Sequence, residues 1–256
     1  MNKDNILWIF IHPIRTGGVT LIEFIKKNTP KEEVFLASEA RYNFKDFQKF
    51  NPQKTKFALG HATYYGMHKL ALNKEARYFT FLRDPAERVV SYYNAKMEET
   101  KKRIPFEVWY RNQIKDDLVN FLDLKYKGSE SSRIHTPPNF MPIVRKLNYK
   151  NFYLLQNLIS KFYKKNKKSD LRKLENAKKL LDACWFIRIL DHDEDKDFNL
   201  LIKAMGFKNQ KWEKKTGLTK NVLKVTPELR EKIYKENPLD YELYQYAIRL
   251  KNLKRK

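Results

Sequence analysis

The chain has 256 residues, with 53 basic and 30 acidic side chains and a formal net charge of +23. Hydrophobic residues make up 42% and aromatics 14%, enough for a sizeable core, so a disordered chain is excluded. The charge favours anionic partners, whether nucleic acid, anionic lipid, nucleotide or acidic polysaccharide, without choosing among them.

Ile6 to Ile11 is an apolar run that predicts a buried parallel strand. Leu21, Phe24 and Ile25 then recur at helical spacing within Thr20 to Lys27. Val34 to Ala37 and Phe57 to Leu59 read as short strands, the second running into Gly60-His61, and Arg77 to Leu82 as another. After it, Asp84 as N-cap, Pro85 at the first helical position and Glu87 at the third form a capping-box arrangement.

Residues 94–150 are polar, with helical stretches expected around Phe106 to Leu124 and a loop from Gly128 to Pro138. The basic stretch Lys161 to Lys179 reads as a solvated helical face, with Ser169 a cap in its middle. Trp185 to Leu190 predicts a further buried strand. The acids that follow, from Asp191 to Asp195, suit a helix N-terminus better than a metal site. Helices are expected to start near Thr226-Pro227 and Pro238-Leu239.

Alternating strands and helices imply βαβ units, hence an α/β fold with a central, mostly parallel sheet flanked by helices. No linker is evident, so residues 1–256 are expected to form one domain. The one cysteine, Cys184, lies in an apolar run and is expected to be a buried thiol. No run approaches the ~20 apolar residues of a membrane span, and the first strand starts too early for a signal peptide. A cytoplasmic protein, or an already trimmed catalytic domain, is the expectation.

Two segments carry chemistry. In the first, a strand runs into Arg15-Thr16-Gly17-Gly18-Val19-Thr20, the geometry in which free backbone N–H groups and a helix dipole hold a phosphate. The Walker pattern is absent, which disfavours an ordinary nucleotide kinase. In the second, Arg83 stands at a strand end with Ser91 two turns into the next helix; an arginine and a hydroxyl there can cradle another phosphate. Read blandly, Arg83 pairs with a neighbouring acid and Ser91 merely packs. Two such sites on one sheet suit a ligand with phosphate at both ends. A divergent nucleotide-dependent kinase and a basic nucleic-acid or polyanion binder without catalysis are the alternatives. The second would call for base-stacking aromatics interleaved with the charge, which are not found.

Together these segments resemble the carbohydrate sulfotransferases, particularly the heparan sulfate 2-O- and 6-O-sulfotransferase-like group with its bacterial members. Ile9 to Leu21 is similar to that family's 5′-phosphosulfate loop, usually close to F-I-H-I-P-K-T-G-G-T-S-L. Leu82 to Tyr93 matches its 3′-phosphate motif, L-R-D-P-x-x-R-x-x-S-x-Y, throughout. Ala58-Leu59-Gly60-His61 resembles the strand-end Gly-His of these enzymes. Leu174 to Leu190 and Asn237 to Ala247 resemble its weaker C-terminal pattern, and residues 94–150 match nothing.

The resemblance implies a P-loop-like fold and the donor 3′-phosphoadenosine 5′-phosphosulfate, which leaves as 3′-phosphoadenosine 5′-phosphate. Arg15, Thr16, Gly17, Gly18, Val19 and Thr20 would take its 5′ end, and Arg83 with Ser91 its 3′-phosphate. In-line sulfuryl transfer needs positive charge on the departing phosphate oxygen, a role for Arg15, and a base for the acceptor proton. His61 is the candidate base, since imidazole titrates near ~6.5; His68 is the second choice. The scheme needs no metal. The acceptor is expected to be a carbohydrate hydroxyl, with peripheral membrane contact allowed and no specific nucleic acid involved. The sequence departs from the family pattern at Arg15, where lysine is usual, in the order Pro13-Ile14, and at Val19, where threonine is common. Arginine keeps the charge but is planar and bulkier.

Overall fold

The computed structural model describes residues 5–37, 50–71, 73–101, 104–127, 167–190, 194–207 and 223–254. Among these residues, five strands form one sheet in the order β2-β3-β1-β4-β5. They are β1 (Ile6–Ile11), β2 (Val34–Leu36), β3 (Phe57–Gly60), β4 (Glu75–Leu82) and β5 (Phe186–Ile189), and every pairing is parallel. β1 lies at the centre, and all six of its residues are buried because both of its neighbours and both faces are covered.

The alternation of side chains along each strand splits the core in two. Ile6, Trp8 and Phe10 of β1, with Phe79 and Phe81 of β4, face α1 (Gly18–Asn28) and α6 (Glu194–Ala204) through Leu21, Phe24, Ile25, Phe198 and Leu201. Leu7, Ile9 and Ile11, with Tyr78 and Leu82, face the opposite way. There they meet α4 (Asp117–Lys127), α5 (Lys167–Ala183) and α8 (Pro238–Lys254), through residues such as Leu122, Leu180 and Leu243. A third cluster joins α2 (Pro85–Thr100), α3 (Phe106–Arg111) and α7 (Pro227–Glu236) around Ala86, Val90, Trp109, Tyr110 and Ile233. Cys184 is a buried thiol, as expected. Among the described residues no helix is long and apolar enough to cross a membrane.

Strand expectations hold to within a residue or two at each end. The helical stretches expected around Phe106 to Leu124 are α3 and α4. Between them Asp116 takes φ 51, in the left-handed region. Its carboxylate accepts from the backbone N–H groups of Leu239 and Asp240, each at 2.9 Å, so the break serves to cap the start of α8. Ser169 is not a cap: α5 already starts at Lys167 and carries Ser169 inside its first turn. The loop from Gly128 to Pro138, Lys161 to Asn166 and Asp191 to Asp193 lie outside the described residues.

The chain leaves β1 towards the β2–β3 side of the sheet and leaves β4 towards β5. The carboxyl ends of β1 and β4 therefore flank a topological switch point, where open α/β sheets bind their ligands.

Candidate functional site

Four consecutive carbonyls at the end of β1 are held by side chains. Thr63 Oγ1 lies 2.5 Å from Phe10 O, Thr80 Oγ1 donates to Ile11 O at 2.7 Å, His61 Nδ1 meets His12 O at 2.7 Å, and Thr16 Oγ1 donates to Pro13 O at 2.8 Å. The backbone entering the loop is thus fixed from three directions before Arg15 is reached. Arg15 has φ 67 and Gly17 φ 79. A non-glycine residue in the left-handed region carries ~1–2 kcal/mol of strain, which the pinned loop must hold.

Gly17 is the N-cap of α1 and brings no side chain to the first N–H groups of that helix. Those groups, with the helix dipole, form a site suited to an anion. Gly18 is explained by packing: a Cβ there would lie 2.4 Å from His12 Cδ2 and Nε2 and 2.6 Å from Phe10 Cε1. Thr16 is buried, Thr20 half-buried, and Val19 exposes 63% of its surface to solvent.

Arg15 crosses the switch point. Its Nε donates to Ser91 Oγ on α2 at 3.1 Å, a contact between residues 76 apart in sequence. Burial lowers the Arg15 pKa, and the nearby charge of Arg83 lowers it further, with Glu98 opposing. Two like charges held this close favour an anion between or beside them. Arg83 also lies 3.5 Å from Glu87, so the bland expectation of a neighbouring acid is met as well. Arg88 is the second arginine of the motif. It is buried and bonded to Asp117 and Asp240, which makes it structural.

His61 stacks on His12, with ring centroids 4.4 Å apart. Because His12 O can only accept, His61 Nδ1 carries a proton. His12 itself is 2% exposed, and its Nδ1 has no hydrogen-bond partner. Burial, with the adjacent His61, pushes its pKa down to about 3. His68 is occupied differently: Nδ1 lies 2.8 Å from Tyr78 OH, which also accepts from Gly66 N. That places His68 in the β3–β4 connection as a structural residue. Among the described residues no cluster of three or more His, Cys, Asp or Glu side chains is arranged to hold a metal.

Sequence reasoning did not anticipate the supports around Asp84. The Asp84 carboxylate accepts from Ala86 N and Glu87 N, as an N-cap should. It also accepts from Tyr234 OH, and Arg230 Nη1 of α7 lies 2.8 Å from it. The Glu87 side chain meets Arg230 Nη2 at 2.7 Å. Nothing in the spacing of residues 84–91 points to α7. For His12, the signal was available: it continues the face of Ile6, Trp8 and Phe10 and stands opposite a glycine.

The fold is that of an α/β protein with a parallel sheet, and two arginines beside a bare helix N-terminus at its switch point are suited to an anion. The model of the sulfotransferase family matches residues 24–247, and the chain belongs to that family, whose chemistry is sulfuryl transfer. The match begins inside α1, so it contains His61, Arg83 and Ser91 but not Arg15 to Thr20. No curated protein matches the chain.

Proposed function

We propose that the protein is a cytoplasmic sulfotransferase. It moves the sulfuryl group of 3′-phosphoadenosine 5′-phosphosulfate to a hydroxyl of a carbohydrate, in a polysaccharide or glycolipid precursor. The observation that carries this reading is the Arg15–Ser91 hydrogen bond, which brings the loop after β1 and the motif after β4 into one site beside Arg83. The residues present fit a ligand with phosphate at both ends: a bare helix N-terminus and Arg15 on one side, Arg83 and Ser91 on the other.

When bound, the donor supplies an activated sulfuryl group attached to a phosphate that leaves with negative charge. Arg15 holds a fixed cation where that charge develops. Ser91 accepts from Arg15 and keeps its own O–H to donate to a phosphate oxygen. Arg83 takes the 3′-phosphate as a planar, bidentate donor. His61 Nε2 receives the acceptor hydroxyl's proton, its ring held by the Nδ1 bond to His12 O. The basic surface helps to hold an acidic acceptor chain.

Calorimetric titration with 3′-phosphoadenosine 5′-phosphate, with AMP and ATP as controls, tests the donor site. Selective binding of the bisphosphate is expected, falling to the AMP level in Arg83→Ala. His61→Ala should keep that affinity and lose transfer of labelled sulfate to a panel of polysaccharide acceptors. Equal binding of all three nucleotides sinks the donor assignment; full activity in His61→Ala moves the base elsewhere.

A further inference from the structure

The carboxylate of Glu87 is shared by two arginines. One oxygen accepts from Arg230 Nη2 at 2.7 Å, and the other lies 3.5 Å from Arg83 Nη2. Arg230 reaches it from α7, more than a hundred residues away in sequence, and is anchored there by a second acid, Asp84, at 2.8 Å. Tyr234, one turn further along α7, donates to the same Asp84 carboxylate. Asp84 and Glu87, the two acids at the start of α2, are therefore both gripped by one face of α7. The grip is unequal: Glu87 sits at bonding distance from Arg230 and at the edge of an ion pair with Arg83.

We propose that Glu87 and Arg230 are positioning residues that set how strongly Arg83 holds a ligand's 3′-phosphate. Glu87 competes with that phosphate for the Arg83 guanidinium. Arg230, by occupying Glu87, weakens this competition and keeps Arg83 directed towards the switch point. The inference rests on the assignment of Arg83 to the 3′-phosphate. Side-chain exposures of 23% for Arg83, 30% for Glu87 and 36% for Arg230 place the triad at the rim, where solvent screens it. Its effect is accordingly a tuning of affinity rather than an on–off switch.

The competition has a definite sign. Glu87→Gln removes the competing charge, so 3′-phosphoadenosine 5′-phosphate should bind tighter, by roughly two- to fivefold. Arg230→Gln releases Glu87 to Arg83, so the same ligand should bind weaker by a similar factor. AMP, which lacks the 3′-phosphate, should be unaffected by either. The double variant should bind at least as tightly as the unaltered protein, because the loss in Arg230→Gln acts through Glu87. Arg230→Lys, which keeps a cation but not the fork that spans Asp84 and Glu87, should fall between.

Calorimetry on the four variants, with thermal melting of each to confirm folding, reads these shifts. If Arg230 only braces Asp84, its loss lowers bisphosphate and AMP binding together and Glu87→Gln does not rescue it; that pattern overturns the inference. An unaltered protein that prefers the bisphosphate, with variants that all keep the same preference, overturns the inference alone. An unaltered protein that binds both nucleotides equally overturns the donor-site reading and the inference with it.

Discussion

The His12 ring lies between Phe10, with centroids 4.9 Å apart, and His61, 4.4 Å away, and it fills the space that a side chain at position 18 would need. Its pKa falls from 6.5 to about 3, through burial first and the neighbouring His61 second. Between those two values the unfolded chain binds a proton that the folded chain refuses. Stability from this site is therefore complete above the unfolded value and is lost as pH falls from 6.5 towards 3, by at most ~1.4 kcal/mol per pH unit. His12→Phe keeps the stack and the main-chain carbonyl that His61 uses, and it removes both the titrating group and the unpartnered Nδ1. Urea unfolding at pH 7 and pH 5 should show the unaltered protein losing more stability between the two than the variant does. Identical losses would mean that the buried ring is protonated in the folded state. Arg15 and Ser91 make the complementary point. Each was legible as a candidate from its own motif, but their mutual contact spans 76 residues and no local pattern encodes it.

At the scale of elements, the unit formed by β1, the loop and α1 is stiff because its residues interlock. Phe79, Phe10, His12 and His61 stack in sequence, and Phe10 and Phe79 are 4.7 Å apart and nearly parallel. A methyl group at residue 18 meets two of these rings at 2.4–2.6 Å, and neither ring is the loose end of a flexible chain. Gly18→Ala should destabilise the protein by roughly 1–3 kcal/mol, the usual cost of overpacking, and displace the loop that carries Arg15. A lowered melting temperature together with weakened binding of 3′-phosphoadenosine 5′-phosphate is the expected result. An unchanged melting temperature would show that the stack yields. The same unit shows why much of the fold was readable. β1 is six buried residues in a row, and the start of α2 is written in Asp84 and Pro85, because strand burial and helix capping are local in sequence. Where the helical stretches around Phe106 to Leu124 break was not readable, since the Asp116 carboxylate caps α8, across more than a hundred residues. Ser169 misled for the opposite reason: a residue type that favours caps was carried inside α5, where helix continues on both sides.

Across the whole molecule, three helices on one side of the sheet are joined through the buried Arg88. Arg88 on α2 bonds Asp117 on α4 and Asp240 on α8, and Asp240 also accepts from Leu118 N at 3.2 Å and Val119 N at 2.8 Å. This centre links the cluster under the sheet to the cluster of α2, α3 and α7, so the motif that presents Ser91 also fastens the layers together. Burial holds the Asp240 carboxyl well above the usual carboxylate range, up to about 7, while Arg88 pulls the other way and Asp117 and Asp116 add to the rise. Taking away only the cation leaves Asp240 buried without its partner, a change that costs about 3–5 kcal/mol in comparable centres. Arg88→Met should do this and raise the Asp240 pKa further. A folded-state pKa above the unfolded one means that the native state binds the extra proton, so stability contributed by the protonated form is lost as pH rises. The defect of Arg88→Met should therefore be largest near pH 8 and shrink towards pH 5, when Asp240 can stay neutral. Adding Asp240→Asn should flatten that dependence and recover part of the loss, because a neutral amide needs no cation. Urea unfolding of the single and double variants across pH 5 to 8 measures both effects. A defect of the same size at every pH would mean that Asp240 remains ionised without Arg88, its charge carried by the two backbone N–H bonds alone.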